Sequence, residues 1–325
     1  MKKIVIVAGD TSGDLYGGKL AEKIKKTPGH FQIYSFGGQV LAENSNQIID
    51  LVSHSVCGLT EVIASLAKLK KLFNQAVASI EKIKPDLIIL IDLPDFNLRL
   101  AKKINRKYPV FYYVSPQVWA WRKNRIKTIK KYTQKIIPIF RFEVDIYRQE
   151  NTSTAYFGHP LLEIIGRQKK EKENKISFLP GSRKNEIKHH LKLLAETKKI
   201  IKQKMPDYNF EVLKPKRIDG RLYEKFFPEK EISLHSYQAL SESKFVITAS
   251  GTATIETAIL EIPHLIIYKV NKLTWYIIKK MIKANFAGML NILAAEKIVP
   301  EFLQKNANPE NIAKTAISYL TAPQA

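Results

Sequence analysis

The chain has 325 residues, 45% of them apolar, and 53 Lys and Arg against 30 Asp and Glu leave a net charge of +23. That length exceeds what one hydrophobic core usually serves, so two domains are expected, and the apolar fraction excludes a disordered chain. The single cysteine, Cys57, excludes an internal disulfide framework, and no stretch approaches the roughly 18 apolar residues of a membrane span.

The charge favours a polyanionic partner: nucleic acid, an anionic membrane face or phosphorylated substrates. The basic residues are mostly Lys scattered along helices, without zinc-finger spacing or an RNP-like aromatic strand, so nucleic acid is not the expected partner. Met1-Lys2-Lys3 and the apolar run behind it imitate an export signal, but Asp10 interrupts the run early, and a cytoplasmic chain is expected.

Taken in chain order, apolar runs at Ile4–Ala8, Gln32–Phe36, Leu87–Ile91, Val110–Val114 and Lys135–Ile139 alternate with helix-length amphipathic segments. After a polar linker at Gly166–Lys175, the alternation resumes with Ile176–Leu179, Asn209–Leu213, Glu231–Leu234, Phe245–Thr248 and His264–Ile267. Near-continuous apolar strands are covered on both faces, which predicts parallel sheets. The expected fold class is therefore α/β, with two Rossmann-like, doubly wound domains facing across a cleft, at 1–166 and 167–325. The terminal helix is free to pack back on the first domain. In such sheets ligands sit at the carboxyl ends of strands, so strand exits are where chemistry is expected.

The first exit is Gly9-Asp10-Thr11-Ser12-Gly13-Asp14, two glycines that admit close backbone approach among hydroxyls and carboxylates. Further on, Val62, Ile63, Leu66, Leu69 and Phe73 share one helical face beside Lys68, Lys70 and Lys71. That pattern suits either a core-facing helix or one lying on an anionic bilayer. The third exit, at the Leu87–Ile91 run, carries Asp92 and Asp95; Asp95 is expected to cap the following helix, whereas Asp92 is a candidate general base. Next comes Val114-Ser115-Pro116, followed by Trp119, Trp121 and the phosphate-competent Arg122 and Arg125. His159, before Pro160, reads equally as a site residue or a cap. In the second half, Leu179-Pro180-Gly181-Ser182-Arg183 and Ala249-Ser250-Gly251-Thr252-Ala253-Thr254 each join a strand to a helix start, with Ser182 expected to cap its helix and Arg183 to fall in the first turn. Two anion-competent helix starts suggest a diphosphate, and Glu256, four residues after Thr252, can accept hydrogen bonds from a sugar diol. There is no Walker pattern, no Asp-X-Asp and no clustered His or Cys, so no metal and no cofactor are expected.

Taken together and in order, Gly9 to Asp14, Gly37-Gly38 with Leu41, "IDLPDFN", "VSPQVWAWR", "FGHP", "LPGSR" with Glu186, "ASGTATIE", Tyr268-Lys269 and "LNIL" resemble the lipid-A-disaccharide synthase family over nearly the whole chain. The resemblance implies a GT-B fold and an inverting, metal-independent transfer of 2,3-diacylglucosamine from UDP to 2,3-diacylglucosamine 1-phosphate, giving a β-1′,6 link. It implies that Asp92 is the base, that Arg183 meets the UDP phosphates, that Glu256 lies at the ribose and that Asn291 lies near the nucleotide. Ser182, Gly251, Thr252 and Thr254 join the nucleotide side, while Gly9, Ser12, Gly13, Asp14, Ser115, Trp119, Arg122 and His159 fall to the acylated sugars, with Asp10 as a second catalytic carboxylate. Val62, Ile63, Leu66 and Leu69 would face the membrane of a cytoplasmic enzyme held peripherally at the inner membrane. Two departures stand out: Asp10 occupies a usual Glu position, and Leu290 replaces the usual proline before Asn291. Other readings are a different GT-B UDP-sugar enzyme (an epimerase or another sugar transferase), a basic nucleic-acid-binding protein, or a silent lipid-binding relative.

Overall fold

The structure, a computed structural model, describes residues 1–54, 62–168, 171–271, 275–276 and 286–322, with the side chains of 54 and 62–66 outside the described set. Cys57 and the Val62, Ile63 and Leu66 side chains therefore lie outside it. The chain divides into two compact units, Met1–Pro160 and Leu161–Ala325.

The first unit runs β1 (Lys2–Ala8), α1 (Thr11–Lys26), β2 (Phe31–Gly37), α2 (Gln39–Ala42), β3 (Asn46–Asp50), α3 (Val62–Ile83), β4 (Leu87–Ile91), α4 (Pro94–Ile104), β5 (Val110–Tyr113), α5 (Arg125–Tyr132), β6 (Lys135–Ile137) and α6 (Arg141–Gln149). Its six strands are all parallel, in the order β3-β2-β1-β4-β5-β6. Val5 to Ala8 and Ile88 to Ile91 are buried, as strands covered on both faces require. The core joins them to Leu72, Ala76 and Ile80 of α3 and to Phe96, Leu100 and Ala101 of α4.

The second unit runs α7 (Leu161–Ile165), β7 (Glu173–Leu179), α8 (Lys184–Lys204), β8 (Asn209–Lys214), α9 (Arg221–Glu224), β9 (Ile232–Leu234), α10 (Tyr237–Ser241), β10 (Ser243–Ala249), α11 (Thr252–Ile259), β11 (His264–Tyr268), α12 (Met289–Ala294), β12 (Glu301–Leu303) and α13 (Pro309–Thr321). The strand order β12-β11-β10-β7-β8-β9 repeats the doubly wound plan, again all parallel. The terminal helix α13 buries Ile312, Ala313 and Ala316 in this unit's own core with Leu191 and Leu194 of α8.

β3 and β12 escape the sequence reading. Both are edge strands: β3 leaves its first three residues exposed, and β12 is three residues long and only half-buried, so neither writes a strong apolar pattern. In each sheet the strand order reverses beside the first strand, between β1 and β4 and between β7 and β10. Those two reversals are where a doubly wound sheet opens a crevice for ligands.

Candidate active site

At the first reversal the residue leaving β4 is Asp92. It and Leu93 both adopt the left-handed conformation, φ 45° and 44°. For residues with a Cβ this costs on the order of 1–3 kcal/mol each, so the surroundings must hold it. They do so through the main chain. Tyr112 Oη donates to the Asp92 carbonyl at 2.6 Å, and Asn97 Nδ2 donates to the same carbonyl at 2.8 Å and to that of Ile91 at 3.1 Å. The Asp92 N–H in turn donates to Tyr113 O at 3.2 Å. Asn97 is fully buried, and burial pushes the Tyr112 phenol well above its usual range, so it remains a donor. Asn97 and Tyr112 were not singled out from sequence; their bonds run to backbone, which leaves no motif.

Asp10, across the same reversal, is the N-cap of α1: its carboxylate accepts the Gly13 N–H at 2.9 Å. Capping accounts for a carboxylate at this place, so a second catalytic acid is not needed to explain it. Asp14 is corrected outright. It is 5% exposed, and its two oxygens accept the N–H groups of Gly38 (2.7 Å), Val40 (3.1 Å) and Leu41 (3.2 Å). A Cβ on Gly38 would lie 2.5 Å from that carboxylate, and one on Gly18 would lie 2.7 Å from Val40 O. The glycines and Asp14 therefore seat α1 against the start of α2, and the motif is in large part a clasp.

Beyond β5, Ser115 is buried and its hydroxyl donates to Glu143 Oε1 at 2.8 Å. Glu143 is 1% exposed, and its other oxygen accepts the Phe140 N–H at the start of α6, the N3 half of a capping box without its N-cap half. Burial pushes this carboxyl up to about 7, held back by the bonds from Ser115 and the neighbouring backbone. The half-buried Trp119 meets Phe142 edge-on at 5.4 Å. His159 contacts Tyr16 and Phe140, and burial pushes its imidazole down to about 4. Asp95 does not cap α4, because Leu93 holds that position. Asp95 pairs with Arg122 at 2.7 Å and Arg125 at 2.5 Å, and both guanidiniums stack on Trp121. Arg122 is thus not a free phosphate ligand; a carboxylate and an indole share it.

In the second unit the exits of β7, β10 and β11 are neighbours. Gly251 caps α11 with φ 152°, a conformation only glycine takes easily, and a Cβ there would meet no atom within 4 Å. The space beside Gly251, at the start of α11, is therefore open. Ser250 Oγ donates to Ala287 O at 2.7 Å. Thr252 begins the helix, but Thr254 is fully buried with its hydroxyl donating to Gly251 O, so Thr254 shapes the turn and does not face a ligand. At the β7 exit the expected cap is displaced by one residue. Arg183 is itself the N-cap of α8 and is exposed, while the Ser182 N–H donates to Glu186 Oε2 at 3.2 Å. Burial raises the Glu186 carboxyl, and the Arg183 guanidinium opposes that rise.

Two further groups were missed from sequence. His190, fully buried, receives the Lys269 N–H on Nε2 at 2.9 Å and so donates from Nδ1 to Pro180 O at 2.8 Å. It ties the β7 exit to the Tyr268-Lys269 exit, and burial pushes it down to about 4. His235 Nε2 lies 3.2 Å from Glu256 Oε2, with Tyr237 edge-on to the imidazole at 5.6 Å. Asn291 is held structurally: it is fully buried, its Nδ2 donates to Val299 O and Glu301 Oε1, and its Oδ1 accepts the Val299 N–H. Glu301 in turn accepts the Ala287 and Gly288 N–H groups, so this pair frames the loop that receives Ser250. Among the described residues no group of three or more His, Cys, Asp or Glu is placed to hold a metal ion.

Two doubly wound units, each with candidate residues at its strand-order reversal, define the GT-B class. Solved structures agree on the fold: the UDP co-structure of MnaA from S. aureus aligns with a TM-score of 0.67 at 13% identity, covering 99% of this chain and 88% of that one. The UDP-GlcNAc 2-epimerase of Methanocaldococcus jannaschii aligns with a TM-score of 0.63 at 14% identity, covering 99% and 94%. The lipid-A-disaccharide synthetase family model matches residues 4–324, and the chain belongs to that family of glycosyltransferases. Among its relatives, the lipid-A-disaccharide synthase of Syntrophus aciditrophicus is 34% identical over 342 residues, covering 99% of this chain and 89% of the relative. Lipid-A-disaccharide synthase 1 of Legionella pneumophila (strain Lens) is 35% identical over 340 residues, covering 99% and 88%.

Proposed function

We propose that the chain joins UDP-2,3-diacylglucosamine to 2,3-diacylglucosamine 1-phosphate, forming a β-1′,6-linked disaccharide 1-phosphate and releasing UDP. The observation that carries this reading is the family match over residues 4–324 together with Asp92 and Arg183 at strand exits and Glu256 on the helix that follows β10. The Asp92 carboxylate takes the proton of the acceptor 6-hydroxyl as that oxygen bonds to the anomeric carbon. The bond from that carbon to the β-phosphate oxygen breaks, its electron pair leaves with UDP, and configuration inverts. Arg183 and the N–H groups opening α11 stabilise the charge gathering on UDP, each well-aimed donor being worth about 3 kcal/mol. Glu256, oriented by His235, accepts hydrogen bonds from the ribose diol. Lodging UDP in the 161–325 unit and the acceptor in the 1–160 unit assigns each half one substrate.

Both substrates carry acyl chains, so the enzyme works at the cytoplasmic face of an anionic membrane. In support, Leu69 on α3 is 42% exposed beside the exposed Lys68, Lys70 and Lys71. No helix among the described residues is long and apolar enough to cross a membrane.

The test is incubation with both lipid substrates in detergent, reading products by mass. A disaccharide 1-phosphate and UDP are expected in equal amounts. Turnover of UDP-N-acetylglucosamine instead, with no disaccharide, would overturn the reading in favour of an epimerase or another transferase.

A further inference from the structure

α4 turns Phe96, Leu100, Ala101 and Ile104 into the core and leaves Arg99, Lys102 and Lys103 on its outer face. Phe73 of α3 and Tyr132, the last residue of α5, join these cations and Asn105 in lining a concavity of about 590 Å³. That volume is in the range of small-molecule sites. A smaller concavity shares Arg99 and Lys102 and continues toward Asp95 and Arg125. Asp95 is already engaged by Arg122 and Arg125, and among the described residues no ion pair engages Arg99, Lys102 or Lys103. The dipole of α4 accounts for cations in its last turn, at Lys102 and Lys103. It does not account for Arg99 one turn earlier, and the Phe73 and Tyr132 rings, which pack on the unit's core, keep part of their surface at the concavity.

Leu69 lies one helical turn before Phe73 on α3 and is exposed among Lys68, Lys70 and Lys71. An apolar residue that can enter acyl chains is thus continuous with a cationic hollow of headgroup size. A nucleic acid would call for a longer cationic track with a series of stacking rings; here two rings and three cations line one shallow, open concavity.

We propose that the concavity among α3, α4 and α5 binds the phosphate headgroup of an anionic phospholipid, with Arg99, Lys102 and Lys103 on the phosphate and Phe73 and Tyr132 against its glycerol. The site rests on the membrane-surface reading above and lies apart from the strand exits, since α4 starts at the β4 exit and carries these cations toward its far end. It gives the enzyme a fixed foothold that uses no catalytic residue.

The test is sedimentation of the full chain with phosphatidylcholine vesicles carrying about one quarter phosphatidylglycerol, an anionic surface that attracts each nearby cation. The variant Arg99→Glu/Lys102→Glu/Lys103→Glu is compared with Lys188→Glu/Lys199→Glu/Lys204→Glu, an equal charge change on α8 of the other unit. The α4 variant is expected to lose at least tenfold in vesicle affinity, with turnover of detergent-dispersed substrates unchanged as the check on folding; the α8 variant is expected to bind nearly as the wild type does. Equal losses in the two variants would mean that net charge alone acts, and would overturn the site. Wild-type binding by the α4 variant, with Leu69→Ser losing it, would overturn the site and leave the membrane reading standing. Failure of the wild type itself to sediment would overturn the membrane reading. Should the α4 variant lose affinity for single-stranded RNA and keep it for vesicles, the occupant is nucleic acid and the proposal fails.

Discussion

At the reversal of the first sheet, two consecutive residues with side chains, Asp92 and Leu93, hold left-handed backbone, and Tyr112 and Asn97 spend their hydrogen bonds on the carbonyls around them. At the reversal of the second sheet, the positive-φ positions of the β7 and β10 exits are glycines, Gly181 and Gly251, and the nearby cation Arg183 is exposed. Under the proposed function, one topology serves two electrostatic purposes. A base has to be held in one geometry against strain, whereas a phosphate cradle has to let bare N–H groups come close and can leave its cation free until an anion arrives.

The strongest way to break this contrast is to exchange the losses. Asp92→Asn is expected to lower kcat by ~10²–10⁴-fold while the thermal shift induced by UDP persists. Arg183→Ala is expected to abolish most of that shift and to lower kcat by roughly 10²–10³-fold. If Asp92→Asn removed UDP binding, or Arg183→Ala left it intact, the division of labour between the units would be wrong.

A second comparison sets buried titratable groups of the two units against each other. Glu143 is raised to about 7, so its contribution to stability is full below the unfolded carboxyl value and is lost as pH rises through about 7. His190 is lowered to about 4, so its contribution is full above the unfolded imidazole value and is lost as pH falls through about 4. Each span corresponds to about 3 kcal/mol. Glu143→Gln is therefore expected to raise the melting temperature at pH 8, and His190→Gln to flatten the loss of stability between about pH 6.5 and 4. Melts recorded by circular dichroism from about pH 4 to about pH 8 check both signs. The smallest effect is expected at Asp10: Asp10→Ala should cost ~1 kcal/mol of stability as a lost cap, with kcat within about threefold of wild type. A rate loss as large as that of Asp92→Asn would restore Asp10 to the catalytic machinery.

Long apolar strands were legible in the sequence because burial on both faces leaves near-continuous runs of Val, Ile and Leu, as in β1, β4 and β10. Asp92 and Arg183 were legible because they stand at the ends of such runs. What was hidden are bonds between a side chain and distant backbone. Asp14 reads as a polar exit residue until the start of α2 closes on it, and Asn291 as a ligand contact until Val299 and Glu301 take up its polar atoms. The cap of α8 shifted by one residue because Glu186 takes the Ser182 N–H, a competition that spacing does not reveal.

The imidazole between Pro180 and Lys269 has a mechanical consequence. It links the two exits that flank β10 in the sheet, with His190 reaching from α8 to an N–H 79 residues further along the chain. Those two loops are consequently stiff to independent displacement: a tug on one is transmitted to the other. Under the proposed function, plasticity toward unfamiliar donor sugars has to be sought outside that braced rim.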